Sequence, residues 1–358
     1  MSIEFIWQLP TSGDSRHADA TKTRRAERNE GERAPFTAGV TDPRGTSFNY
    51  FDYLHQVARA ADLSGFDGIK VQHDLEGEES WIVAGYLARS TKHLKLITEF
   101  EASWGSAVYA AKNAVSFQRF TDGRQAWQIS RGADAKTRRQ NADPVPDKDV
   151  TARIDEFLTV ARGVQNNASF TFKGQFFEVL DGGFKGPLAN HPTKSIYLSG
   201  NTPQDFALSA RQATVHVLDA APVNELAASI QSLQAEAAKT GRPLTIGLRV
   251  DVLARETLDE ALHDALRYLT QSGHASASNP PLNGANLWND FATERSGAKA
   301  TLIGSYEQIE QRLAEYADAG IGSFILSAQP SLEEAYRIGE HVLPALRRRF
   351  ASNELKAA

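Results

Sequence analysis

The chain has 358 residues, 41% hydrophobic and 23% charged, with a formal net charge of −5. That is ordinary globular composition, long enough to bury a large core, and it lacks the basic balance that a nucleic-acid footprint requires. There are no cysteines, which excludes disulfides, thiolate nucleophiles and cysteine-ligated zinc or iron–sulfur sites.

The opening "MSIEFIWQLP" has no basic segment followed by a long apolar one, so it does not read as a signal peptide. No apolar run approaches the length of a membrane span. The expectation is a soluble, cytoplasmic protein that binds neither nucleic acid nor membrane.

In chain order, "SIEFIWQLP" reads as a strand. "NYFDYLHQVARAADLSG" carries Phe51, Leu54, Val57, Ala58 and Ala61 at helical spacing and closes in glycine. "FDGIKVQ" is a strand, "EESWIVAGYLARST" a helix, "LKLITEF" a strand and "SAVYAAKNAVSFQRFTDG" a helix. "RQAWQIS" and "DVTARIDEFLTVARGV" give the next strand and helix. "SFTFKGQFFEVLDGGFKGP" then alternates as a hairpin turning at Lys173–Gly174. The strand–helix alternation resumes with "SIYLSG" and "TPQDFALSARQ", then "TVHVLDA" and "NELAASIQSLQAEAAKTG". "LTIGLRVDVLARET" and "TLDEALHDALRYLT" follow. From about Ser272 to Gly304 the sequence is polar with little regular pattern, and the chain closes as helix, strand, helix.

Eight strands precede helices. Such alternation builds a parallel sheet, and eight units in a chain of this length predict a single-domain (β/α)8 TIM barrel over 1–358. Insertions are expected at about 11–49, 131–149, 166–190 and 272–303. A doubly wound sheet is the structural alternative, although the first strand–helix turn has no GxGxxG. The segment 11–49 is dense in both signs of charge and reads as a solvated arm or oligomer contact rather than a lid. The segment 272–303 holds Trp288 and Arg295, and long loops at a barrel mouth are where lids sit.

Barrel sites are built from strand ends. Those ends supply Gln8, Gln72, His73, Asp74, Glu99, Glu101, Trp104, Gln128, Ser130, Arg131, Asp219, Arg249, Asp251, Ser327 and Gln329, a polar set suited to a polar or anionic ligand. Arg249 and Asp251 stand two apart inside a hydrophobic strand and so share a face. Burying two charges is costly unless they pair well, so they read either as a satisfied pair in a polar layer or as part of a site. In "LSGNTP", Ser199, Gly200, Asn201 and Thr202 lead into a helix whose first position is Pro203. This is a plain N-cap or an anion site. No histidine–carboxylate spacing resembles a metal site.

Seven collinear stretches resemble the bacterial-luciferase-like flavin monooxygenases: "FIWQLPTSGD", "YLHQVARAADLSGFDGI", "EESWIVAGYLARST", "AAKNAVSFQRFTDGR", "GLRVDVLARET", "ATLIGSYEQIEQRLAEYADAGIGSFILS" and "LEEAYRIGEHVLPAL". Within that family they look most like the alkanesulfonate monooxygenases. The resemblance implies a TIM barrel with insertions and a two-component system. A separate NAD(P)H-dependent reductase supplies reduced FMN, which with O2 cleaves an organosulfonate to sulfite and an aldehyde. It implies a homodimer or homotetramer. It implies Arg249 and Arg295 as active-site arginines with Asp251 beside them, and Gln8, Trp104 and Gln329 around the substrate. Ser199, Gly200, Asn201 and Thr202, with Gln128 and Arg131, are implied around the flavin.

The departures carry information too. Asp251 stands where the family has a histidine, Gly77 where it has a cysteine and Gln329 where it has a tyrosine. Gln8 replaces a phenylalanine and Ser12 a histidine. A pocket made more polar fits a hydroxylated sulfonate, whose hydroxyls need partners once desolvated. On this ground the chain resembles the sulfoquinovose monooxygenase branch. The alternatives are a linear alkanesulfonate, or another polar substrate of a luciferase-like flavin oxidoreductase.

Overall fold

The computed structural model describes residues 3–14, 50–75, 77–132, 134–271, 286–289, 291 and 297–357. In chain order the strands are β1 (Glu4–Leu9), β2 (Gly68–Val71), β3 (Lys95–Glu101), β4 (Gln125–Ser130), β5 (Phe170–Lys173), β6 (Glu178–Gly182), β7 (Ser195–Ser199), β8 (Val215–Asp219), β9 (Thr245–Arg255), β10 (Leu287–Asn289), β11 (Ala300–Ser305) and β12 (Ile321–Ser327). Eight of them, β1, β2, β3, β4, β7, β8, β9 and β12, pair in parallel in that order, and β12 pairs back onto β1. The sheet is therefore closed, which settles the (β/α)8 barrel over the doubly wound alternative.

Register explains what the barrel encloses. Alternate residues face inward, and neighbouring strands bring them to common levels. Ile6, Ile97, Ala126, Tyr197, Val215, Val217 and Ile325 form one fully apolar inner cluster. Toward the strand N-termini, Glu4 accepts from Tyr197 Oη (2.6 Å) and Ser323 Oγ (3.0 Å) and pairs with Lys95. Burial and the Glu4 carboxylate push the Tyr197 phenol well above its usual range. Toward the strand C-termini, one step above the apolar layer, the inward positions turn polar. Gln8 is level with Lys70, Glu99 with Gln128, and Asp219 with Arg249. The outward faces carry the main core against the helices. On α1 (Tyr50–Leu63) the residues Leu54, Val57, Ala58 and Ala61 are wholly buried, as their spacing predicts.

The insertions lie at different ends. The segment after β4 contains a short helix, α4 (Ala135–Gln140), clamped by buried charges: Arg153 donates to both oxygens of Asp143 (2.5 and 2.8 Å), with Arg138 alongside. The β5–β6 hairpin follows α5 (Val150–Asn166), a helix rather than a strand, so chain direction puts it at the end of the barrel away from the strand C-termini. It is therefore not an insertion at the mouth.

The segment 272–304 is more regular than its composition predicts. It contains β10 and the buried strand β11, an antiparallel pair. β9 is 11 residues long and overruns the barrel: its first part pairs with β8 and β12, and Asp251–Arg255 pairs with β11. The final helix is also two helices, α10 (Ser331–His341) and α11 (Leu343–Ala357), with Pro344 in the first turn of the second, where a missing N–H does no harm. The segments 15–49 and 272–285 lie outside the described residues, and the readings made for them stay as expectations.

Candidate active site

The inward polar residues at the strand C-termini form one connected network. Lys70 on β2 is fully buried, and its Nζ lies 3.0 Å from Gln8 Oε1 and 3.1 Å from Glu99 Oε2. Glu99 also accepts from Gln128 Nε2 (3.1 Å) and from the backbone N–H of His73 (3.2 Å). Gln8 Nε2 donates to Gln72 Oε1 at 2.8 Å. Burial holds the Lys70 ammonium below its ordinary pKa; Glu99 opposes that shift and Arg249 adds to it. Within this network Gln128 Oε1 is buried with no hydrogen-bond partner among the described residues.

Arg249 does not pair with its strand neighbour Asp251. Its Nε and Nη2 lie 3.1 and 2.6 Å from Asp219 Oδ1 on β8. Asp251 instead accepts from Ser327 Oγ on β12. Residues two apart on a strand share a face, but the strands on either side supply nearer partners, so the expected Arg249–Asp251 pair is corrected to Arg249–Asp219. Gln8, Gln72, Asp251, Ser327 and Gln329 line a common small recess at the mouth, with a cavity volume of about 20 Å³. Tyr268 Oη donates to Gln329 Oε1 at 3.2 Å. Three residues expected at the substrate therefore share one wall with Arg249 close by. Arg295 lies outside the described residues.

Trp104 lies half-exposed at the rim, its ring 4.4 Å from that of His73 and nearly perpendicular to it. His73 Nε2 faces Glu101 Oε1 at 3.4 Å, too poorly aligned for a hydrogen bond.

The turn after β7 is built around an acid. Thr202 caps α6 (Pro203–Gln212) in a capping box, accepting from the Asp205 amide (3.2 Å) while Asp205 Oδ2 accepts from the Thr202 amide (3.2 Å) and hydroxyl (2.7 Å). Asp205 Oδ1 takes Arg131 and the Thr151 hydroxyl (3.1 Å). Gly200, at φ +142°, has Asp205 Oδ2 2.4 Å from where a Cβ would stand, so only glycine fits. The N-cap of the two readings is thus present. Asn201 and Thr202 remain exposed, and Arg131 reaches the turn through Nη1, which pairs with Asp205.

His216 on β8 points outward and pins this turn. Nε2 lies 3.1 Å from the Gly200 carbonyl and Nδ1 2.7 Å from Ser209 Oγ. A carbonyl only accepts, so Nε2 carries a proton, and the depressed pKa keeps the ring neutral with Nδ1 accepting from Ser209 Oγ. Burial depresses its pKa from 6.5 to about 4. The stability from the neutral ring is whole above pH 6.5 and is lost as pH falls from 6.5 to 4, by about 3 kcal/mol. Urea midpoints measured across that window are expected to fall more steeply for the wild type than for His216→Gln.

Gln72, Glu99 and Asp219 stand at strand ends in the sequence reading but carry no role there, and Lys70 and Asp205 are absent from it. Lys70 carried a usable signal, a charge alone between Ile69 and Val71. Among the described residues no group of three or more His, Asp or Glu side chains could hold a metal ion. No helix of the described residues is long and apolar enough to cross a membrane.

Residues 31–323 match the luciferase-like monooxygenase family. The chain belongs to that family. Solved structures similar to this luciferase-like monooxygenase include riboflavin lyase (RcaE), with 18% identity, a TM-score of 0.73 and 98% and 92% of the two chains covered. The long-chain alkane monooxygenase LadA has 17% identity and a TM-score of 0.70 over 98% and 92%. EDTA monooxygenase (EmoA) from Chelativorans sp. BNC1 has 15% identity and a TM-score of 0.71 over 98% and 94%. At these identities the likeness is one of fold.

Proposed function

We propose that this luciferase-like monooxygenase is the oxygenating half of a two-component system that cleaves the C–S bond of an organosulfonate with reduced FMN and O2. The products are sulfite and an aldehyde; one oxygen atom of O2 ends in the aldehyde and the other in water. Sulfoquinovose is the substrate proposed, giving 6-dehydroglucose. A separate NAD(P)H-dependent reductase would deliver the flavin, and the working form would be a homodimer or homotetramer.

The observation that carries this reading is the recess. The same fold is shared by proteins named for an alkane, for EDTA and for riboflavin, so the substrate must be argued from side chains. A linear hydrocarbon chain would set no polar group against the wall of Gln8, Gln72, Asp251 and Gln329, whereas a polyhydroxylated substrate brings hydroxyls that can join its hydrogen bonds.

The chain's residues fit an FMN. The unmatched buried carbonyl of Gln128 suits a ring N–H. Asn201 and Thr202 are exposed in the turn, and Asp205 beneath it is already paired with Arg131, which suits a phosphate. Reduced FMN, when bound, supplies the electrons that activate O2. Around it the protein binds and orients. Asp219 holds Arg249 by two nitrogens and leaves Nη1 for the sulfonate. Asp251, Gln8 and Gln329 accept from and donate to sugar hydroxyls. Trp104 at the rim limits water.

The test is sulfite release. Purified protein with FMN, NAD(P)H, a generic flavin reductase and air is offered sulfoquinovose or linear alkanesulfonates. Sulfite from sulfoquinovose alone is expected. Sulfite from the linear compounds instead would discard the argument from the polar recess, and sulfite from neither would discard desulfonation.

A further inference from the structure

The recess at the mouth is small enough to count its occupants. Its volume is about 20 Å³, and a cavity needs roughly 10–15 Å³ to hold one water, so it seats a single water-sized group. One wall is the turn after β1, at Pro10 and Gly13. The other is the end of β12, at Ser327 and Gln329, with Asp251 level with Ser327.

The polar groups on these walls differ in what they still offer. Gln8 Oε1 accepts from Lys70 and its Nε2 donates to Gln72, so both ends of that amide are engaged. Gln329 has one end engaged: Tyr268 Oη donates to Oε1 at 3.2 Å, and Nε2 has no partner among the described residues. Tyr268 is itself held. It stands on α8 (Leu258–Gln271), and its ring packs on Phe291, 5.6 Å between centroids, against the apolar cluster that includes Trp288. Asp251 offers the opposite chemistry. Ser327 Oγ donates to its Oδ1, and a carboxylate carries about four acceptor sites. A donor and an acceptor around space for one small group specify that group. A hydroxyl both donates and accepts, so it answers Asp251 and Gln329 at once. An ether or carbonyl oxygen only accepts and gives Asp251 nothing. An ammonium only donates and meets the Gln329 N–H head-on.

We propose that the recess is a subsite for one hydroxyl of the ligand, with Gln329 and Asp251 as its donor and acceptor and Tyr268 as the positioning residue that sets the Gln329 amide. This rests on the hydroxylated-substrate reading above and narrows it. The recess reads one hydroxyl of the substrate, and discrimination is concentrated at that position.

The probes are sulfoquinovose and its analogues that each lack one ring hydroxyl, titrated calorimetrically against the full chain with FMN present, in parallel with sulfite release. One analogue is expected to bind about tenfold weaker than the parent, through the hydrogen bonds its missing hydroxyl would make. Tyr268→Phe keeps the ring on Phe291 and frees the Gln329 amide to turn, so the ratio for that analogue is expected to shrink. Gln329→Leu is expected to bring the ratio close to one. A general loosening of the fold would weaken parent and analogue alike and leave the ratio unmoved. A crystal structure of the ligand-free protein is expected to hold one ordered water bonded to Gln329 and Asp251, replaced by a hydroxyl when sulfoquinovose is bound. Binding of all probes alike or of none, a ratio unchanged in both variants, or a water that touches neither side chain overturns the subsite. The expected ratios without sulfite from any probe uphold the subsite and remove desulfonation. Sulfite from sulfoquinovose with no analogue disfavoured does the reverse.

Discussion

Arg249→Ala is expected to lower kcat/KM for sulfite release by roughly two to three orders of magnitude, while the FMN dissociation constant moves only a few-fold. The variant removes the cation proposed to hold the sulfonate and leaves Asp219 without its Arg249 partner. Losing one side of a buried, hydrogen-bonded charge contact costs about 2–5 kcal/mol, which sets the scale. FMN is assigned to other groups, at Gln128, Arg131 and the turn from Ser199 to Thr202, so its affinity is expected to survive. Arg249→Lys keeps the charge but cannot hold Asp219 through two nitrogens, and should fall between the two. Fluorescence titration of FMN alongside the sulfite assay separates the effects. Parallel loss of flavin binding and turnover would refute this division of labour.

Lys70→Met is expected to destabilise the fold by about 3–5 kcal/mol, the usual consequence of breaking a buried ion pair from one side. Lys70 has no exposed surface, and Glu99 is 6% exposed. Without Lys70 the carboxylate keeps the Gln128 and His73 donors but loses its only ion-pair partner among the described residues. Replacing both charges, in Lys70→Met/Glu99→Gln, is expected to recover most of the loss, since a neutral pair needs no counter-charge. Urea-denaturation midpoints of the wild type and the single and double variants test this. A single variant as stable as the wild type would show that the ion pair contributes little.

Much of the architecture was legible in the sequence because a barrel's demands are local. Each strand must be apolar, and each helix must present one apolar face. The spacing of Leu54, Val57, Ala58 and Ala61 is enough to orient α1. What was not legible depends on pairing between distant segments. β11 is held by β9 and β10 across long sequence gaps, and a short run such as "ATLIGS" inside polar sequence gives little sign of that. The partner of Arg249 follows from the register that sets Asp219 level with it, which no spacing within β9 reveals. The anomaly of a charge inside a strand did mark Arg249 and Asp251. Applied to "GIKV", it marks Lys70 as well. Asp205 escaped notice because "TPQD" was read for its cap and proline, and the acid three residues beyond Thr202 was passed over.

The overrun of β9 has an evolutionary consequence. Asp251 is the last β9 residue joined to β12 and the first joined to β11, so the aim of its carboxylate is fixed jointly by the barrel and by an appended ribbon. Insertions, deletions or substitutions in that ribbon can re-aim the rim of the recess while every barrel strand keeps its sequence. Leu287, Ala300 and Leu302 of the ribbon belong to the main core, so such re-aiming is open chiefly to ribbon positions outside it.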